Sequence, residues 1–182
     1  FRLDNVGMVN RNKKISFTFN GKKYFGYEGD TIASALIANG VHLVGRSFKY
    51  HRPRGFFGVG VDEPYAILQL ERNNERDPNI RATEQEIFEG LEASSQNCWP
   101  SVNFDIGGIN NAISAFLPAG FYYKTFMWPA SFWEKYEYFI RHSAGLGKSP
   151  TDIDPDVYDH RYVHCDVLVV GAGISGILAA KN

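Results

Sequence analysis

Residues 14–27, KISFTFNGKKYFGY, decide the fold of this 182-residue chain. Apolar and polar residues alternate from Lys14 to Phe19, and the alternation resumes from Lys22 to Tyr27. Between the two runs stands Asn20-Gly21, the strongest two-residue signal for a tight turn. The stretch therefore predicts a β-hairpin.

A short helix is predicted directly after the hairpin. Glu28-Gly29-Asp30 breaks the second strand, Asp30 is a suitable N-cap, and Asn39-Gly40 is a typical helix end. The residues that share the apolar face of this helix are Ile32, Ala35, Leu36 and Ala38. A hairpin followed by a crossing helix indicates a β-grasp domain. A further strand is expected at 65–70, after the glycine-rich turn region 55–60.

Two more helices are predicted downstream. Thr83-Glu84-Gln85-Glu86 has the form of a capping box, from which a helix is expected to run to about Ala93. Pro129 suits the first turn of another helix, whose apolar residues are Phe132, Trp133, Tyr136 and Ile140. Residues 121–139 hold ten aromatic side chains. A domain of this size cannot easily bury them all, so part of this segment is expected to cover a neighbouring domain or subunit.

Composition narrows the function classes. The net charge of −1, from 19 basic and 20 acidic residues, gives no general attraction to nucleic acid or membranes. No apolar run approaches the ~20 residues that a membrane helix needs, and no signal peptide is recognisable at the start. The two cysteines, Cys98 and Cys165, have neither disulfide-framework nor metal-site spacing. Reduced thiols in a cytoplasmic protein are the expectation.

A nucleotide-binding fingerprint stands near the end of the chain. The apolar run Val167–Val170 leads into Gly171-Ala172-Gly173-Ile174-Ser175-Gly176 and then into an apolar helix start. Strand, G-x-G-x-x-G and helix in this order bring a dinucleotide pyrophosphate to a helix N-terminus. These six residues are the predicted cofactor-binding residues. The motif itself does not choose between FAD and NAD.

The rest of a dinucleotide fold, including the acidic residue that holds the ribose, is expected about 20 positions further on. We therefore expect this chain to be the N-terminal piece of a longer protein. The predicted fold class is α+β, a β-grasp domain followed by the first strand, turn and helix of a Rossmann-type domain. The predicted segments are an N-terminal arm (1–13), the β-grasp domain with its following helix (14–105), an aromatic-rich docking segment (106–150), a linker (151–164) and the truncated dinucleotide-binding start (165–182).

A basic loop follows the first helix: GRSFKYHRPRG, residues 45–55, holds four permanent cations and a histidine among aromatic residues. Such a loop can grip a phosphate or an acidic partner. It can equally be a solvated loop whose cations pair with nearby acids. Nucleic acid is disfavoured, because the chain is neutral and has no second basic stripe.

No catalytic constellation and no metal site are predicted. Plant-type ferredoxins, which are β-grasp domains, carry C-x4-C-x2-C in the loop after this helix, whereas this loop has no cysteine, so no iron-sulfur cluster is expected. Asp152, Asp154 and Asp156 open like a calcium loop but lack its later glycine and glutamate. His160 and His164 would face a common metal only on a helix, which the approach to an apolar strand makes doubtful.

Five runs resemble the α subunit of heterotetrameric sarcosine oxidase: GRSFKYHRPRG (45–55), SQNCWPS (95–101), PAGFYYKTFMWP (118–129), AGLG (144–147) and HCDVLVVGAGISG (164–176). The resemblance extends over nearly the whole chain from about Lys14. It implies a bacterial cytoplasmic flavoenzyme of α, β, γ and δ subunits. That enzyme oxidises sarcosine, reduces oxygen to hydrogen peroxide and transfers the one-carbon unit to tetrahydrofolate, giving glycine and methylenetetrahydrofolate.

The resemblance also implies where the cofactors lie. FAD is bound by the β subunit, a covalent FMN lies at the α/β interface, and NAD is bound by the dinucleotide domain of the α subunit. Only Gly171, Gly173 and Gly176 match the family's nucleotide motif, so no catalytic residue is carried over. Two alternatives stay open: the α subunit of a related opine- or proline-type flavin dehydrogenase, and a structural docking module that binds no nucleotide.

Overall fold

The computed structural model describes residues 2–3, 6–72, 75–116, 128–143, 145–147, 149–151, 153 and 156–181. Its centre is the predicted hairpin, formed by β1 (Asn10–Phe19) and β2 (Lys22–Glu28) in antiparallel register. Asn20 and Gly21 both have positive φ, at 49° and 75°, as a tight two-residue hairpin turn requires. Strand β1 begins at Asn10, so the predicted N-terminal arm already contributes to the sheet.

Helix α1 (Ile32–Ala38) follows the hairpin as predicted, but its N-cap is Thr31 and not Asp30. The Thr31 side chain accepts a hydrogen bond from Ser34 N at 3.2 Å. Asp30 is fully buried instead, where Oδ2 accepts from Tyr27 N at 2.8 Å and the guanidinium of Arg2 binds both carboxylate oxygens. The tertiary ion pair with Arg2, 28 residues away, explains why Asp30 was misassigned.

The sheet is completed by β5 (Ile67–Arg72), β6 (Glu75–Arg81) and β7 (Leu91–Ser95), in the order β2-β1-β7-β5-β6. Strand β7 runs parallel to β1, while the other neighbouring pairs are antiparallel. A short second sheet pairs β3 (Gly45–Arg46) with β4 (Pro53–Arg54). The domain is thus a mixed α+β fold with a five-stranded sheet, in which the first and last strands, β1 and β7, form a parallel pair.

The capping-box helix predicted from Thr83 is wrong. Residues 82–84 form a turn, and β7 takes only the last three residues of the predicted helix, 91–93. Between them the backbone bonds the start of α1: Gln85 O accepts from Ile32 N and Ile87 N donates to Asp30 O, at 2.9 Å each. These long-range backbone hydrogen bonds outweigh the local helix signal.

One apolar core lies between the sheet and α1. Phe17, Ile32, Leu36, Leu68 and Leu91 are its largest apolar side chains that are essentially inaccessible to solvent. Gly26 in β2 lets α1 approach closely, because a Cβ there would lie 2.5 Å from Ile87 Cδ1 and 3.0 Å from Ala35 Cβ. Of the predicted core face of the first helix, Ile32, Ala35 and Leu36 are buried, whereas Ala38 is half-buried and Ala33 is buried in addition.

The remaining helices are α2 (Ile109–Ala112), α3 (Trp133–Ser143) and α4 (Ile174–Lys181), with 3-10 turns at Gly60–Asp62, Ile106–Gly108, Ser114–Phe116 and Ala130–Phe132. Helix α3 confirms the helix predicted after Pro129. No helix in the described part of the chain is long and apolar enough to cross a membrane. The aromatic residues 121–126 and the predicted acids Asp152 and Asp154 lie outside the described residues.

Candidate functional site

The predicted glycine fingerprint forms a turn that leads into α4. Gly171 has a φ of 104°, and a side chain on Gly176 would overlap the carbonyl oxygen of Gly171. Ile177 N donates to Gly173 O at 2.9 Å, which closes the first helical turn. No atom lies within 4 Å of a Cβ placed on Gly173. Gly171 and Gly176 are therefore needed by the turn itself, whereas Gly173 leaves its backbone open.

The strand predicted before this turn is not formed. Residues 167–170 have no strand assignment, and Val170 is 87% exposed. A parallel strand needs hydrogen-bonded neighbours, and the described residues place none beside this run. The start of a Rossmann-type domain, and the six cofactor residues Gly171, Ala172, Gly173, Ile174, Ser175 and Gly176, stay predictions.

The basic loop forms the β3–β4 hairpin, and the cationic side chains of this hairpin lie in different places. The guanidinium of Arg46 turns inward and donates to the carbonyl of Val102 from Nε at 2.8 Å and from a terminal nitrogen at 2.6 Å. At the tip, the Lys49 ammonium and the Arg52 guanidinium each lie 4.9 Å from the centroid of the Tyr50 ring. The four cations therefore do not converge on one phosphate-sized point.

A buried histidine and carboxylate join this hairpin to the segment 97–108. His51 Nδ1 lies 2.7 Å from Asp105 Oδ2, while Asp105 Oδ1 accepts from the backbone amides of Trp99 at 3.0 Å and Gly107 at 3.2 Å. A Cβ on Gly107 would overlap the His51 ring, so glycine is required for this packing. His51 itself has a φ of 51°. No local sequence pattern predicts this pair, whose members are 54 positions apart.

Exposed apolar side chains surround the hairpin. They are Phe48, Phe57, Val59 and Val61 on residues 48–61, and Trp99, Phe104, Ile106 and Ile109 on residues 99–109. No acidic residue occurs between Asp30 and Asp62 in the sequence, and the carboxylate of Asp105 is buried against His51. This part of the surface thus combines apolar side chains with positive charge. We call residues 48–61 and 99–109 together the hairpin surface.

A buried carboxylate lies at the end of the glycine-rich loop. Glu63 is 1% exposed, and its two oxygens accept four backbone hydrogen bonds. Oε2 accepts from Phe57 N and Gly58 N at 2.7 Å each, and Oε1 accepts from Tyr65 N at 2.8 Å and Ala66 N at 3.0 Å. Burial alone would raise the pKa of Glu63, but these four amides outweigh it and hold the pKa below its ordinary value. No sequence pattern predicts a role for this residue.

The cysteines and histidines do not form a metal site in the described residues. Both cysteines are free, and no group of three His, Cys, Asp or Glu side chains is placed to hold an ion within the described ranges. Burial, followed by the nearby Asp105 carboxylate, raises the pKa of the Cys98 thiol, although Arg46 opposes this. His160 and His164 lie in a stretch without helix and are exposed.

An open cavity of about 550 Å³ lies on the sheet face opposite the core. Gln69, Ser94 and Arg76 line it from the sheet, Arg141 lines it from α3, and Gly147 lines it from the segment after α3. Both arginines already pair with glutamates, Arg76 with Glu71 and Arg141 with Glu137, at 3.1 Å each. The cavity contains none of the predicted site residues.

Comparison with known proteins finds a matching family and similar relatives. Residues 12–98 match the family described as 2Fe-2S iron-sulfur cluster binding domain. The chain is 59% identical over 181 residues, 99% of its length, to sarcosine oxidase subunit alpha of Rhizobium meliloti (strain 1021). It is 30% identical over 96% of its length to the protein of the same name from Corynebacterium sp. (strain U-96). It spans 18% and 14% of these relatives' lengths.

Among solved structures, L-proline dehydrogenase from P. horikoshii aligns with 50% of this chain and 17% of its own, at 25% identity and a TM-score of 0.37.

The residues of the matched family region do not fit an iron-sulfur cluster. Such a cluster is held by four cysteine thiolates, or by two cysteines and two histidines in Rieske centres. The matched residues 12–98 contain one cysteine, Cys98, whose raised pKa disfavours the thiolate that would bind iron. The donor set therefore does not support the cofactor in the family's description.

Proposed function

We propose, from the resemblance of this chain to the N-terminal part of sarcosine oxidase subunit alpha, that it is part of an oxidoreductase that acts on sarcosine. The identity of 59% over 99% of the chain carries this proposal. The parent complex would oxidise sarcosine with oxygen and tetrahydrofolate, giving glycine, hydrogen peroxide and methylenetetrahydrofolate. Flavins bound outside this piece would take the electrons, and the enzyme would work in the cytoplasm.

In this proposal the present chain supplies a scaffold and no catalytic residue. Residues 14–105 form the β-grasp domain, 106–150 dock against neighbouring parts of the complex, 151–164 link, and 165–182 begin the dinucleotide-binding domain. The exposure of Trp128, Phe139 and other aromatic side chains in the docking segment supports its role as a covered surface in the complex. The partners would be the β, γ and δ subunits.

The turn at 171–176 is the proposed pyrophosphate-binding element for NAD. Gly171 and Gly176 shape the turn, Gly173 leaves room for a ligand against the backbone, and the N-terminus of α4 favours an anion. The relatives are much longer than this chain, and in this proposal other parts of the parent protein supply the remainder of the nucleotide site.

An activity assay tests the function proposed for the parent complex. The full-length protein should be produced together with its partner subunits and assayed for sarcosine-dependent hydrogen peroxide, with opines and proline as competing substrates. Peroxide formation with sarcosine supports the proposal. A complete complex that is inert to sarcosine and active on an opine or proline would show that the chain belongs to the related dehydrogenases.

NAD binding tests the glycine turn separately, in the full-length subunit. Gly173→Ala should weaken NAD binding at least tenfold while leaving the melting temperature unchanged, because nothing in the structure opposes a Cβ at this position. Gly108, which also has space for a Cβ, provides the matched control. Unchanged NAD affinity in Gly173→Ala would show that NAD does not bind at this turn, and absence of NAD binding by the unmodified subunit would favour the docking module that binds no nucleotide.

The hairpin surface is proposed to dock an acidic face of another subunit. Its positive charge supports this choice of occupant, since Lys49 and Arg52 stand at the tip among apolar side chains. Replacing both cations by glutamate should abolish copurification of a partner subunit at low salt. Lys22→Glu with Lys23→Glu on β2 makes the same charge change elsewhere and should leave the complex intact. Equal effects of the two double variants would contradict this location.

A further inference from the structure

Glu63 is a buried anion that the fold surrounds with backbone donors. Phe57 and Gly58 donate to one oxygen, and Tyr65 and Ala66 donate to the other. The carboxylate thereby joins both ends of the turn around Gly60–Asp62. A buried charge is costly unless it is fully hydrogen-bonded, and this one has two donors on each oxygen. Such an arrangement orders ten residues, 57–66, around one side chain.

The place of this loop in the chain relates it to the cluster named in the family's description. Plant-type ferredoxins carry the cluster cysteines, C-x4-C-x2-C, in the loop after the helix that follows the hairpin. The loop 57–66 also lies after α1, within the region 12–98 that matches the family, and it contains no cysteine. The amides of Gly58 and Ala66 in this loop donate to the Glu63 carboxylate. Hydrogen bonds to the sulfurs of a cluster are likewise made around an anionic centre.

We propose that the Glu63 carboxylate replaces the iron-sulfur cluster as the anion that orders the loop 57–66 in this ferredoxin-like domain. The loop keeps its inward-facing amides but directs them to a side chain of the chain itself. The domain then has a structural role and carries no electrons. This inference does not depend on the proposed sarcosine activity.

The packing of the loop supports the replacement. A Cβ on Gly58 would lie 2.6 Å from Asp62 O and 2.8 Å from Asp62 C, so a cysteine does not fit the loop as folded. On the other side, the Thr83 hydroxyl donates to Gly60 O at 2.6 Å and ties the turn to the segment after β6. The loop is closed more tightly around the carboxylate than a cysteine at position 58 would allow.

Amide hydrogen exchange tests the role of Glu63 directly. In the unmodified protein at neutral pH, the amides of Phe57, Gly58, Tyr65 and Ala66 should exchange slowly. Glu63→Ala should accelerate these four at least tenfold while the amides of β1 and β7 keep their rates. Glu63→Gln should have a smaller effect, because its carbonyl oxygen still accepts two of the four hydrogen bonds and only its NH₂ group cannot accept. The exposed Glu92→Gln is the matched control and should change none of them.

Unchanged protection of the four amides in a folded Glu63→Ala protein would overturn the proposal. If that variant does not fold, Glu63→Gln and exchange of the unmodified protein at falling pH provide the same readout. A second experiment addresses the cluster: the unmodified protein is incubated anaerobically with ferrous iron, sulfide and a thiol reductant, then desalted. We expect no visible absorption and no paramagnetic signal after reduction, and a stoichiometric cluster would overturn the proposal.

Discussion

His51 and Asp105 meet in a buried pair, with Nδ1 of the histidine 2.7 Å from Oδ2 of the carboxylate and the Asp105 side chain 1% exposed. The pair connects the β3–β4 hairpin to the segment 97–108, and Arg46 reinforces the connection through the carbonyl of Val102. These contacts hold the apolar and basic residues of the hairpin surface in one place. The pair therefore belongs to the structural basis of the proposed docking.

Removing the carboxylate should loosen this connection. Asp105→Ala leaves His51 and the amides of Trp99 and Gly107 without their acceptor, so we expect a loss of about 3 kcal/mol in the free energy of unfolding. Urea unfolding measures this change in the free energy of unfolding. Asp62→Ala removes an exposed carboxylate and should stay within about 0.5 kcal/mol. Similar losses in both variants would show that the pair contributes little.

Lowering the pH should selectively remove the contribution of the Glu63 carboxylate to the free energy of unfolding. Its pKa is lower in the folded than in the unfolded chain, so its stabilisation is present above the ordinary value of 4.5 and is lost as the pH falls toward the folded pKa. The difference in unfolding free energy between the unmodified protein and Glu63→Gln should therefore shrink between about pH 6 and about pH 3. Glu92→Gln, the exposed control, should give a flat difference. A difference that stays constant for Glu63→Gln contradicts the assigned pKa direction.

A methyl group at Gly26 should disturb the contact between β2 and α1. Its Cβ would lie 2.5 Å from Ile87 Cδ1, 3.0 Å from Ala35 Cβ and 3.1 Å from Asp30 Oδ2. Overpacking of this kind costs about 1 to 3 kcal/mol. Gly108→Ala, where nothing lies within 4 Å, should be close to neutral. Thermal unfolding of both variants checks the prediction, which fails if Gly26→Ala melts like the control.

Asn20 is expected to stabilise the hairpin turn in two ways. It adopts a φ of 49°, and its side chain bonds Ser95 of β7 through Ser95 N at 2.8 Å and Ser95 Oγ at 3.0 Å. Asn20→Ala loses both contributions and should cost about 1 to 2 kcal/mol. Asn20→Gly keeps the turn geometry, so it should lose less, and the exposed Asn12→Ala should lose nothing measurable by urea unfolding. If Asn20→Gly is as costly as Asn20→Ala, backbone strain is not part of the effect.

The predictions from sequence succeeded where the stabilising interactions join residues close in the chain, and they failed where these interactions join residues far apart in the chain. The hairpin and α1 were predicted because alternation, the Asn20-Gly21 turn and the Asn39-Gly40 end act within a few residues. The helix from Thr83 was wrong because residues 85–87 bond the backbone at 30–32 and β7 pairs with β1 and β5, all of them far along the chain. The cap at Asp30 was wrong for the same reason, since Arg2 binds it from 28 positions away.

The sequence by itself determined the local elements and the mixed α+β class, because both depend on backbone preferences that act within a few residues. It also determined the resemblance to sarcosine oxidase subunit alpha, which rests on several long runs of residues. Only the tertiary structure decided which buried charges are satisfied and by what. The four amides on Glu63 and the carboxylate beside His51 come together when the chain closes on itself. Burying a charge is tolerated only with such partners, and no local pattern announces them.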